Sequence, residues 1–142
     1  MSANSRFNTS FWCYLSFALK NVEQLYDKAA KQADLNVLEW YILRALYAQD
    51  GQQASELARA VGRAPTSFTP ILDKMETRGL IARNKHATDR RALAIYLTPE
   101  SEKLRDSIEA EAKVVEDYIT SKMNTNDIPS FRSALLQLQN IV

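Results

Sequence analysis

With 142 residues, 46% hydrophobic and 25% charged, the chain has the composition of a soluble globular protein and enough length to bury a core. It holds no run of about 18 apolar residues that would span a membrane and no secretory leader over residues 1–8. Its single cysteine, Cys13, rules out an internal disulfide, so a cytoplasmic location is expected. The net charge of +1 hides an asymmetry: residues 51–97 carry eight Lys and Arg against four Asp and Glu, whereas the remainder is net acidic. A basic middle between mildly acidic ends suits a polyanionic partner.

From residue 9 to about 31, Phe11, Leu15, Ala18, Leu19, Val22, Leu25, Tyr26 and Ala29 recur at helical spacing and form one apolar stripe. A second helix is predicted over 38–48, where Trp40, Ile42, Leu43, Ala45, Leu46 and Tyr47 make it apolar nearly all round and therefore central in the core. Asp50-Gly51 ends it. A short helix follows over 55–61, with Leu57, Ala58 and Val61 inward and Gly62 closing it. Pro65 opens the next helix, at a position where a missing amide costs no hydrogen bond. That helix buries Phe68, Ile71, Leu72 and Met75 until Gly79 stops it, and the missing amide of Pro70, in its early part, is cheap only if the helix starts near Thr66.

Two strand-like pieces, 80–83 and 93–97, come next, with Ile81, Leu93, Ile95 and Leu97 expected to share buried positions. The tip between them carries Lys85, His86, Asp89, Arg90 and Arg91 and must face solvent or a partner. Thr98-Pro99-Glu100 reads as the N-cap, first residue and first-turn acid of one long amphipathic helix reaching about residue 123. Phe131, Leu135, Leu138 and Ile141 mark a final helix. The fold class expected is mainly α (α+β), a winged helix-turn-helix lobe with helical arms at both ends.

In a helix-turn-helix the N-terminal half of the second helix enters a major groove. Arg63, Thr66, Ser67 and Thr69 are the candidate base readers, three short hydroxyls and one bidentate donor. Lys74, Arg83 and Lys85 add candidate DNA contacts, and Arg90 and Arg91 at the hairpin tip suit the negative potential of a narrow minor groove. Asp89 would repel DNA if free, so it is expected to pair with a nearby arginine and shape the wing. His86 is read as a DNA contact or a solvated group. One His and one Cys make no zinc set, and no Ser-His-Asp, Walker or dinucleotide motif appears, so no metal, cofactor or catalysis is expected. The rival from another class is a winged helix that binds protein and has no specific operator, against which Arg90 and Arg91 argue.

Leu57-Ala58, Leu72-Asp73-Lys74-Met75-Glu76-x-x-Gly79-Leu80-Ile81-x-Arg83, Asp89-x-Arg91 and Leu97-Thr98 resemble the MarR family of winged-helix regulators. The resemblance covers essentially the full length and implies one MarR-like domain over 1–142. Its DNA-binding lobe would span about 36–98, between dimerisation helices at about 7–33 and 99–142. It further implies a homodimer on a pseudo-palindromic double-stranded DNA operator, acting as a repressor released by a small molecule. Many members hold an aromatic ligand in a cleft between arms and lobe, which here would be lined by Trp12, Trp40 and Tyr41. Cys13-Tyr14-Leu15-Ser16-Phe17-Ala18 and Phe68-Thr69-Pro70-Ile71-Leu72 also resemble the organic-hydroperoxide-sensing branch. There a lone cysteine is oxidised and tyrosines hold its thiolate, which makes Cys13 and Tyr26 candidate redox residues. The alternative is that Cys13 is a small buried hydrophobe.

Overall fold

The computed structural model describes residues 10–142, so the part of the first arm expected at 7–9, and the absence of a leader over 1–8, lie outside the described residues. Helix α1 (Phe11–Gln32) is capped by Ser10, whose Oγ accepts the Cys13 N–H at 3.1 Å. Only Cys13, Ala29 and Ala30 of α1 are buried, so its N-terminal half leaves the predicted stripe facing outward. The chain turns at Asp34, in the left-handed region at φ 57°, and the Leu35 N–H returns to the Ala30 carbonyl at 3.0 Å.

Helix α2 (Val37–Ala48) starts with a reciprocal cap: the Glu39 N–H donates to Asn36 Oδ1 at 2.8 Å, and the Asn36 N–H to Glu39 Oε1 at 3.0 Å. Trp40, Ile42, Leu43 and Leu46 are fully buried, which makes α2 the centre of the core, as its all-round apolar sequence predicts. Helices α1, α3 and α6 and strand β3 pack around it. Among the described residues no helix is long and apolar enough to cross a membrane.

Strand β1 (Gln52–Gln53) leads into α3 (Ala54–Ala60), and α4 (Pro65–Thr77) follows across a turn at Gly62, φ 69°. Pro70 lies past the first turn of α4, which starts at Pro65, so its missing N–H costs one intrahelical bond even with the helix beginning that close to Thr66. Strands β2 (Ile81–Lys85) and β3 (Leu93–Leu97) form the hairpin, and the sheet order is β1-β3-β2, antiparallel throughout. Two details of the sequence reading change here. Leu93 is 61% exposed and not buried, because it pairs with Lys85 at the tip end of the hairpin, while Ala94, Ile95 and Ile81 are buried. The two-residue β1 was not foreseen: Gln-Gln has no apolar alternation, and it is a strand only through pairing Gln52 with Ile95 and Gln53 with Ala94.

The predicted long helix after the wing is two helices, α5 (Pro99–Lys103) and α6 (Arg105–Ser121), broken at Leu104. Thr98 and Ser101 cap α5 reciprocally, and the Tyr47 hydroxyl donates to the Ser101 carbonyl at 2.6 Å. That short α5 is thereby tied to α2, and α6 leaves in its own direction to pack on α1. A 3-10 turn (Thr125–Asp127) leads to α7 (Ile128–Leu138), which buries none of its residues.

Candidate nucleic-acid interface

Phe68, Leu72 and Met75 are buried at helical spacing and press one face of α4 into the lobe. The opposite face must then point outward, and Thr66, Ser67 and Thr69 are exposed there, with Arg63 exposed on the preceding turn. The Arg63 N–H donates to the Ala58 carbonyl at 2.8 Å, which fixes the turn. The Ser67 hydroxyl donates to the Ala64 carbonyl at 3.0 Å and still has lone pairs to offer. The structure thus brings these four predicted residues together. Lys74 is exposed two turns further along α4, where it lines a groove of about 390 Å³ with Lys31, Asn36 and Arg78 beside the α1–α2 turn.

Arg83 stands in a different environment from the other cations. Its guanidinium meets Asp73 at 2.7 Å and Glu76 at 3.2 Å, and its main-chain N–H donates to Glu76 at 3.3 Å. It therefore clamps β2 to α4. Arg78, which the sequence reading passed over, anchors the far end of α4. It reaches Glu39 at 3.2 Å and the Asp34 carbonyl at 2.6 Å, although Glu39 is only 2% exposed. A buried carboxylate needs such a partner. No motif marks the pair, since 39 positions separate the two residues.

At the wing tip, Lys85, Arg90 and Arg91 are exposed and join no ion pair among the described residues. Asp89 was expected to pair with an arginine side chain; instead its Oδ1 accepts the main-chain N–H of Arg91 at 3.1 Å. His86 is not simply solvated either. It is half-buried, with Nδ1 turned into the loop 3.1 Å from the Asp89 nitrogen.

Trp40 and Tyr41 lie together, 5.3 Å between ring centres and edge to face, and Tyr26 joins them at 5.7 and 5.6 Å. Trp12 is 76% exposed near the start of α1, apart from the ring contacts that join Tyr26, Trp40 and Tyr41. A cavity of about 260 Å³ opens between α1, α2 and α6, lined by Gln32, Trp40, Ser107, Ile108, Glu111 and three alanines. The Trp40 indole N–H is the one buried side-chain polar atom without an acceptor among the described residues. Cys13 is buried. Tyr26 lies 13 positions along the same helix, roughly 20 Å at 1.5 Å per residue. Its hydroxyl donates to Glu116 at 3.2 Å, and burial first, then Tyr41 and Glu116, hold it well above the usual phenol range. Within one chain the two candidate redox residues are therefore apart.

Residues 35–93 match the sequence model of the MarR family. CouR from Rhodococcus jostii RHA1 bound to p-coumaroyl-CoA superposes with a TM-score of 0.86 at 23% identity, over 97% of this chain and 98% of that one. The transcriptional repressor CouR bound to a 23-mer DNA duplex gives 0.79 at 23% identity, over 96% of each chain. MepR from S. aureus in its DNA complex gives 0.82 at 22% identity, over 94% of this chain and 98% of that one. These likenesses establish the fold over nearly the whole length.

The Arg78 anchor makes a direct prediction. Arg78→Ala leaves Glu39 buried without its cation and should lower unfolding free energy by about 3 kcal/mol, whereas the exposed Arg90→Ala should change it by less than about 0.5 kcal/mol. Urea unfolding of the two variants measures the contrast; equal stabilities would remove the anchor from the account.

Proposed function

We propose that this chain, which carries a MarR-family domain over residues 35–93, is a homodimeric, sequence-specific DNA-binding transcriptional regulator, a repressor released by a small molecule. The observation that carries this reading is a helix-turn-helix with an outward polar face, Arg63, Thr66, Ser67 and Thr69, followed by a wing tip with three cations that join no ion pair among the described residues. Thr66, Ser67, Thr69 and Arg63 read base edges in the major groove, and Lys74 and Lys85 meet phosphate. Arg90 and Arg91 enter the adjoining minor groove, held in register by Asp89. Arg83 contributes from behind, by fixing the wing to α4.

Phe11, Trp12, Tyr14, Leu15, Phe17 and Leu19 on α1, with Tyr118 on α6 and Phe131, Leu136 and Leu138 on α7, are exposed in the single chain. An apolar surface of that extent is covered in solution, and a second copy of the arms covers it with two-fold symmetry. Two lobes at fixed separation then meet two half-sites of a pseudo-palindrome.

Release is assigned to the cavity beside Trp40. Its lining offers the Trp40 ring, a serine hydroxyl, a glutamine amide and the Glu111 carboxylate among small apolar groups, which suits a small planar molecule with hydrogen-bonding groups. The related fold that was solved with p-coumaroyl-CoA is in keeping with a ligand of that kind. Oxidation of Cys13 by an organic hydroperoxide is the competing release mechanism, and the protein-interaction reading competes with DNA binding itself.

Arg91→Ala should weaken operator binding by about 1–3 kcal/mol at matched salt without altering the dimer, measured by fluorescence anisotropy and sedimentation. Unchanged affinity would take the wing out of the mechanism. For release, Cys13→Ser should leave the response to the inducer intact and Trp40→Ala should abolish it; a serine variant that no longer responds would transfer the switch to the cysteine.

A further inference from the structure

Resting on the DNA-binding reading above, we propose that His86 is a positioning residue for the wing, its neutral imidazole being the acceptor on which the tip that carries Arg90 and Arg91 is folded. The loop between β2 and β3 has no large apolar side chain to bury, so its shape depends on local hydrogen bonds. Nδ1 of His86 lies 3.1 Å from the Asp89 nitrogen, 3.3 Å from the Thr88 nitrogen and 3.2 Å from the Thr88 hydroxyl. Main-chain N–H groups only donate, so Nδ1 must hold its lone pair and the ring proton must sit on Nε2. That tautomer is assigned from the donors around it.

The anchored segment then carries the rest of the tip. With the Asp89 main chain fixed, its Oδ1 takes the Arg91 N–H and its carbonyl takes the Ala92 N–H, each at 3.1 Å. The His86 N–H closes the loop on the Ala92 carbonyl at 2.9 Å. A continuous path therefore runs from the imidazole through Asp89 to the backbone of Arg91, and it sets where both guanidinium groups leave the chain. At the base of the loop the Tyr96 hydroxyl donates to the Lys85 carbonyl at 3.1 Å. No ion pair from another element reaches the tip among the described residues.

Without that acceptor the Thr88 and Asp89 N–H groups would lose their partner, and the tip would lose its anchor. Asparagine separates this role from one of charge. Its Oδ1 stands the same number of bonds from Cα as Nδ1, accepts the same N–H groups, and does not titrate.

The test uses the full chain, with a labelled duplex from the region upstream of its own coding sequence, at constant ionic strength. At about pH 8, losing the acceptor in His86→Ala should weaken DNA binding roughly five-fold, while His86→Asn should stay within about two-fold of wild type. In the free protein, the amide resonances of Thr88, Asp89 and Arg91 should move in His86→Ala and stay near their wild-type positions in His86→Asn. An alanine variant that binds like wild type, or an asparagine variant as weak as alanine, would overturn the proposal. Amides unmoved in the alanine variant would overturn it as well, whatever the DNA result. Wild-type protein that binds no DNA would instead overturn the underlying reading, and the two failures are told apart because the amide comparison needs no DNA.

Discussion

A helix proposed to enter DNA cannot present free carboxylates to phosphate, yet α4 carries Asp73 and Glu76 on its exposed side. One guanidinium, that of Arg83, answers both, at 2.7 and 3.2 Å. Each contact alone, partly exposed to water, is worth little. Their geometric effect is larger: the acids are drawn toward β2, and the wing becomes rigidly registered to the helix it follows. On the proposed reading, the cations of the wing tip, Lys85, Arg90 and Arg91, would then meet DNA at a position set by α4 and not by the flexibility of a hairpin.

The other end of α4 is held as firmly, by Arg78 against Glu39 and the carbonyl of Asp34. Glu39 sits in the first turn of α2 and caps it, and its neighbour in sequence is Trp40, which lines the cavity between α1, α2 and α6. A molecule in that cavity would therefore lie beside the same turn that holds the end of α4. The arm helices, the cavity and α4 are joined through one short segment, residues 34–40. On the proposed reading, that segment gives a physical route by which occupancy of the cavity would change the spacing of two lobes.

Most of the fold was legible because its signals are local. The stripe on α1, the all-apolar α2, Gly62 between α3 and α4, and the Thr98-Pro99 cap all specify structure within a few residues. What escaped depends on residues far apart in the chain. Gln52–Gln53 is a strand only because β3 lies beside it, and Leu93 is exposed only because the hairpin register sets it opposite Lys85 at the tip end. The break at Leu104 accompanies a tether from Tyr47, 54 positions away from Ser101. At the site, the polar face of α4 was visible as a pattern of hydroxyls between apolar anchors. The roles of Arg78 and Arg83 were not, because a basic residue in sequence looks the same whether it faces DNA or a carboxylate.

The central claim is that α4 and the wing together bind a specific duplex as part of a two-fold assembly. Fluorescence anisotropy against the duplex upstream of its own coding sequence, and against a scrambled duplex of equal length, measured over a range of salt, tests it most directly. The account predicts two chains per duplex, preference for the upstream sequence, and affinity that falls steeply and linearly with log salt as counterions are released. Equal affinity for the scrambled duplex, or binding indifferent to salt, would contradict it.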